Sequence, residues 1–125
     1  MRKLLAMMAM VLMGNMAYLG SGMADELVTY DMVGTNPGEN QGGYKGVVNL
    51  ENQGQRVVIT WTLSGNDKVT GTGIVTGNTM AVAFPSGKGY GVGLYVRDPT
   101  TEQVSGIWTL SGRSENGTET WTLRH

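Results

Sequence analysis

One acid stands apart from the other nine in this chain. Along Thr118–Arg124 the side chains alternate, so Glu119 shares a face with Trp121 and Leu123, while Thr118, Thr120, Thr122 and Arg124 share the opposite one. A carboxylate among apolar side chains must be paired or protonated, and such groups concentrate at binding and catalytic sites. A pairing with Arg56, Arg113 or backbone amides would make it structural. Hydrolysis of a glycoside takes two carboxylates, and no second acid falls in a comparable apolar setting. Other catalytic templates lack their parts. With no cysteine there is neither a thiolate nucleophile nor a thiolate metal site. The one histidine is the terminal His125, poorly placed for a triad or a metal cage. Gly87–Gly93 lies between two strand-like runs, whereas a phosphate loop leads into a helix. The expectation is a protein that is not an enzyme and carries neither cofactor nor metal.

The aromatic residues point to binding. Tyr30, Tyr44, Trp61, Tyr90, Trp108 and Trp121 are assigned to one inward register, interleaved with Gly46, Gly71, Gly73 and Gly106. In a small barrel this pattern makes either a filled core, with large side chains beside small ones, or an aromatic-lined cup open at one end. In the cup, Tyr44, Trp61, Tyr90, Trp108 and Trp121 would contact a small apolar or planar ligand, and Glu119 would orient its polar end. A protein partner would instead meet the loops Gly34–Gly43 and Pro85–Gly89, with Ser86, Lys88 and Tyr90 as first contacts.

The elements that position these residues follow from one repeated beat: about seven alternating residues, then a cluster of Gly, Asn, Asp or Ser. Eight runs result: Leu27–Val33, Tyr44–Leu50, Arg56–Leu63, Lys68–Val75, Thr79–Phe84, Tyr90–Arg97, Val104–Leu110 and Thr118–Arg124. In the third, Val57, Ile59, Trp61 and Leu63 face one way. In the sixth, Tyr90, Val92, Leu94 and Val96 are set against Gly91, Gly93, Tyr95 and Arg97. No window after residue 25 carries a helical period, and the glycine content disfavours helices. The fold class is therefore all-β. Sequential hairpins favour a single antiparallel eight-stranded up-and-down barrel, which abolishes exposed edges; a two-sheet sandwich is the alternative. The segment Trp61-Thr62-Leu63-Ser64-Gly65 recurs as Trp108-Thr109-Leu110-Ser111-Gly112, but the flanks diverge, so this is shared strand chemistry.

Residues 1–24 read as an export signal. Arg2 and Lys3 supply the positive start, Leu4–Leu19 is mostly apolar, and Gly22 and Ala24 are small residues at the positions a signal peptidase reads. Cleavage after Ala24 leaves a single domain, residues 25–125, large enough to bury a core. Asn15 interrupts the apolar run, which argues against a membrane anchor. Zero cysteines suits a bacterial periplasm or secretion without disulfides. Without Arg2 and Lys3, seven scattered basic residues stand against ten acids, so no basic face exists for nucleic acid. The expected product is a soluble monomer whose partner is a small apolar ligand or an extracellular or periplasmic protein.

Tyr30-x-x-x-Gly34-x-Asn36-Pro37-Gly38 and Gly43-Tyr44-x-Gly46-x-Val48 open a longer pattern. Val57-x-Ile59-x-Trp61, Gly71-Thr72-Gly73, Met80-Ala81-Val82-Ala83, Tyr95, Gly106-x-Trp108 and Gly117-Thr118-Glu119 complete it. In these motifs the chain resembles small exported bacterial proteins labelled fibronectin-binding-like. The resemblance spans nearly the whole domain, implies adhesion to host matrix and brings no catalytic residues. In overall pattern the chain also looks like avidin and lipocalin barrels. Ser86-Gly87-Lys88-Gly89-Tyr90 is similar to the Ser-Gly-x-x-Tyr segment of periplasmic inhibitors of C-type lysozyme. That resemblance implies a hairpin inserted into the lysozyme cleft.

Overall fold

Eight strands follow one another in the computed structural model, which describes residues 27–40 and 42–125. The expected signal, residues 1–24, lies outside the described residues. The strands are β1 (Leu27–Thr35), β2 (Tyr44–Gln53), β3 (Arg56–Leu63), β4 (Lys68–Thr76), β5 (Thr79–Ser86), β6 (Gly89–Arg97), β7 (Val104–Leu110) and β8 (Gly117–Leu123). Each pairs antiparallel with the next, and β8 returns to β1 with Met32 opposite Trp121 and Tyr30 opposite Leu123. The sheet is thus a closed up-and-down barrel. Closure leaves none of the eight strands with an unpaired edge, which disposes of the sandwich.

Tight turns set the register. Gly54-Gln55, Gly77-Asn78 and Gly87-Lys88 are two-residue connections, each with its glycine at positive φ (69°, 58° and 57°). That conformation matches the twist of the flanking strands and is costly for any residue with a Cβ.

The two ends of the barrel differ. The end carrying the three two-residue or short turns 54–55, 77–78 and 98–103 is packed solid by Tyr30, Met32, Val48, Val57, Ile59, Met80, Val82, Val104 and Trp121. Toward the other end, inward rings lie beside glycines of neighbouring strands. Phe84 pairs with Gly91, Trp108 with Gly93 and Gly117, Tyr95 with Gly106, and Tyr44 with Gly34. A Cβ on Gly91 would run into the Phe84 ring, and one on Gly106 into the Tyr95 ring. These glycines give the rings the room to lie across the inner wall.

The structure corrects the face expected for β6. Tyr90 is exposed, as are Val92, Leu94 and Val96, while Gly91, Gly93 and Tyr95 are buried. The inner wall at β6 is already occupied by Phe84 and Trp108 from the flanking strands, so glycine fits there and valine does not. The apolar side chains of β6 consequently form part of the outer surface, with Ile107 beside Leu94.

Candidate functional site

Glu119 is placed by strand register. On one side it pairs with Gly106 of β7, which in turn pairs with Tyr95 of β6. On the other it pairs with Gly34 of β1, which in turn pairs with Tyr44 of β2. The row across the sheet therefore reads Tyr44, Gly34, Glu119, Gly106, Tyr95. With no side chain on either glycine, both tyrosines reach over the intervening strand to the carboxylate. Tyr44 Oη donates to Oε2 at 2.5 Å and Tyr95 Oη donates to Oε1 at 3.1 Å. Two indoles complete the set. Trp121, two residues along the same face, donates its Nε1–H to Oε1 at 2.9 Å, and Trp61 donates from β3 across the interior at 3.1 Å.

The side chain of Glu119 is buried, yet its four partners are all neutral. Neither arginine considered from the sequence reaches it. Arg56 donates to Gln53 at 2.9 Å, and Arg113 donates to the Pro37 carbonyl at 3.1 Å and lies 3.6 Å from Glu115. An indole N–H can only donate, so Glu119 accepts from both indoles through Oε1. Its charge and burial act on the tyrosines. Burial pushes the Tyr95 hydroxyl pKa up, and the neighbouring Glu119 charge and hydrogen bond push it further. The Tyr44 hydroxyl is raised by the same causes in the same order, with the Trp108 indole beside it working the other way.

Above this cage the interior is hollow. A cavity of 280 Å³ is lined by Tyr44, Trp61, Leu63, Val69, Phe84, Tyr95, Trp108 and Glu119, and it reaches Asn36 in the exposed β1–β2 loop. Its aromatic wall is continuous: Trp61 and Phe84 have ring centroids 5.4 Å apart, Phe84 and Trp108 6.0 Å, and Tyr44 and Trp108 6.2 Å. Trp108 Nε1 is buried and makes no well-formed hydrogen bond, the Tyr44 hydroxyl lying close enough to feel its N–H. The loops at this mouth are tied to one another. Besides the Arg113–Pro37 bond, Ser111 N donates to the Tyr90 carbonyl at 2.8 Å and Tyr90 N to Ser111 Oγ at 3.1 Å.

The choice between packed core and cup thus resolves by position along the barrel: packed at one end, hollow at the other. Of the residues expected to contact a ligand, Tyr44, Trp61, Trp108 and Glu119 line the cavity. Trp121 does not; it is fully buried beneath Glu119, with its ring 4.5 Å from that of Tyr95. Tyr90 is on the outer face and cannot reach the interior. Of the expected protein contacts, Ser86 is half-buried, and Lys88 and Tyr90 are exposed. Tyr95, Phe84, Leu63, Val69 and Asn36 were not foreseen as lining residues. A signal for Tyr95 and Phe84 exists in the two-residue turn Gly87-Lys88, which pairs Phe84 with Gly91 and thereby puts Gly91, Gly93 and Tyr95 on one face.

Among the described residues, no group of three or more His, Asp or Glu side chains could hold a metal ion. Comparison with known protein families, with characterised proteins and with solved structures finds no match to this chain.

Proposed function

We propose that this chain is an exported, non-enzymatic binding module that carries a small apolar or planar ligand in the open half of its barrel. The observation that carries the reading is the 280 Å³ hollow with aromatic walls and the Glu119 carboxyl group at its floor. Protein interiors are otherwise close-packed, with few voids larger than a water molecule. A cavity of about 150 Å³ takes benzene, so this one has room for a ring with a short side chain or for a fused bicycle. Pockets of this kind combine apolar walls with a few placed polar groups; here those groups are Glu119 and Tyr44. Glu119 is the one acid among the described lining residues, which suits holding a ligand better than two-carboxylate hydrolysis. Export rests on the positive, apolar and small-residue pattern of residues 1–24. Native mass spectrometry of protein purified from its own cell envelope tests this reading. A persistent small-molecule adduct is expected, and a clean polypeptide mass even under the gentlest conditions argues against it.

A second reading is favoured by the outer face. Tyr90, Val92, Leu94 and Val96 are exposed along the length of β6 from the Gly87-Lys88 turn, with Ile107 beside Leu94, and contiguous exposed apolar surface marks interaction sites. A protein partner would dock there, with matrix proteins and C-type lysozyme the first to test. Lys88→Ala is expected to leave the melting point unchanged and to weaken binding in this case alone.

A further inference from the structure

We infer that the ligand is a small organic cation: a protonated amine on a planar or apolar body, its ammonium group held at Glu119. The inference rests on the ligand-carrier reading above and sharpens it. Three observations carry it. The first is charge. Glu119 lines the cavity, and its hydrogen-bond partners are all neutral side chains. Three of those bonds fall on Oε1, whereas Oε2 receives the single bond from Tyr44. A carboxylate oxygen can accept more than one hydrogen bond, so Oε2 is the atom with capacity to spare. The second is the wall. No lysine or arginine occurs among the described lining residues, so the hollow has the polarity of one carboxylate in an apolar setting. Such a site attracts a cation and rejects an anion, because low-dielectric surroundings strengthen the interaction in both directions. The third is the aromatic content: Tyr44, Trp61, Phe84, Tyr95 and Trp108 surround the space, and ring quadrupoles favour a neighbouring ammonium group.

The rim agrees. Glu39, which accepts a hydrogen bond from Asn36 at 3.1 Å, sits at the mouth, and the nearby Arg113 is engaged by Pro37 and Glu115. A fatty acid or other carboxylate is the wrong ligand for this cup.

The test compares three probes of nearly one shape and different charge: phenethylamine, 2-phenylethanol and phenylacetate, titrated calorimetrically into the purified protein. Phenethylamine is expected to bind about tenfold more tightly than 2-phenylethanol, the usual gain when a hydrogen bond involves a charged group. Phenylacetate is expected to bind most weakly. In Glu119→Gln the advantage of the amine over the alcohol should vanish while the alcohol still binds. Equal or tighter binding of the alcohol, or of phenylacetate, overturns the cation and leaves the carrier standing. If none of the three binds up to its solubility limit, both the cation and the carrier fall. The comparison on the wild-type protein is decisive by itself should the variant not fold.

Discussion

Replacing Glu119 by alanine removes the acceptor that Tyr44, Trp61, Tyr95 and Trp121 share. Trp61, Tyr95 and Trp121 are buried, and each buried donor left without an acceptor costs about 1–3 kcal/mol. Tyr44 lies beside the mouth, where water can replace the carboxylate. Three stranded donors sum to roughly 3–9 kcal/mol. Because the vacated space joins the open cup, water entry pulls the figure toward the lower end, about 3 kcal/mol. A domain of this size has roughly 5–15 kcal/mol of stability in total, so the variant should be severely weakened. Glu119→Gln is the control. It keeps an acceptor for the three buried donors and presents an amide to Tyr44, whose hydroxyl can turn to accept. Its expected cost is about 1–2 kcal/mol, the difference between charged and neutral hydrogen bonds at this site. Urea unfolding followed by tryptophan fluorescence measures both, with an unchanged slope confirming that the unfolding transition is comparable. A cost for Glu119→Ala below about 0.5 kcal/mol, the range of an ordinary surface substitution, would refute the cage as a structural element.

Gly106→Ala should destabilise the barrel by about 1–3 kcal/mol, the cost of overpacking, because the new Cβ meets the Tyr95 ring; an unchanged thermal midpoint would contradict the tyrosine-over-glycine arrangement. The orientation of β6 is checked by a pair of neighbours: Leu94→Glu on the outer face should change stability by no more than about 0.5 kcal/mol. Tyr95→Ala on the inner face should cost roughly 3–5 kcal/mol, and the reverse order would restore the orientation expected from sequence. Alkaline stability should fall early. The hydroxyl pKa of Tyr30 is raised from 10.0 to about 12, chiefly by burial, and that of Tyr95 is raised as well. The folded state therefore holds these protons after the unfolded chain has released them. Their contribution is complete below pH 10 and falls above it at roughly 2.7 kcal/mol per pH unit for the two groups together, the Tyr30 share being spent by about pH 12 while the Tyr95 share is still falling. Urea midpoints that stay constant across that window would show that neither hydroxyl is shifted.

Much of the architecture was legible because closure of a barrel needs little beyond alternation and turns. Strands β3 and β7 coincide with runs visible as Arg56–Leu63 and Val104–Leu110, and the glycines at 54, 77 and 87 stand where the two-residue turns require positive φ. The site was legible in part. Glu119, Trp61, Tyr44 and Trp108 could be singled out because each sits on an apolar face of a clearly alternating run. Tyr90 and Tyr95 were exchanged because β6 offers two plausible faces, and hydrophobicity selects the wrong one. Val92, Leu94 and Val96 are more apolar than Gly91 and Gly93, yet the space inside is set by rings on neighbouring strands. The cage around Glu119 was out of reach for the same reason. It depends on Gly34 and Gly106 flanking the carboxylate, which is a property of register between the β7–β8 hairpin and β1 at the far end of the sequence. Trp121 was misplaced in depth, since alternation tells which face a residue takes and says nothing of its height along the barrel axis.

The most direct test of a ligand cup uses the three indole N–H resonances of the barrel, from Trp61, Trp108 and Trp121. In a nitrogen-correlated NMR spectrum, titration with phenethylamine or 2-phenylethanol should move the Trp108 signal most, because its ring lines the cavity and its N–H is not anchored on Glu119. The Trp61 signal should follow, and Trp121, sealed beneath Glu119, should move least. Probe binding that leaves all three indoles in place while shifting Tyr90, Val92 and Leu94 would put the ligand on the outer face and contradict the cup.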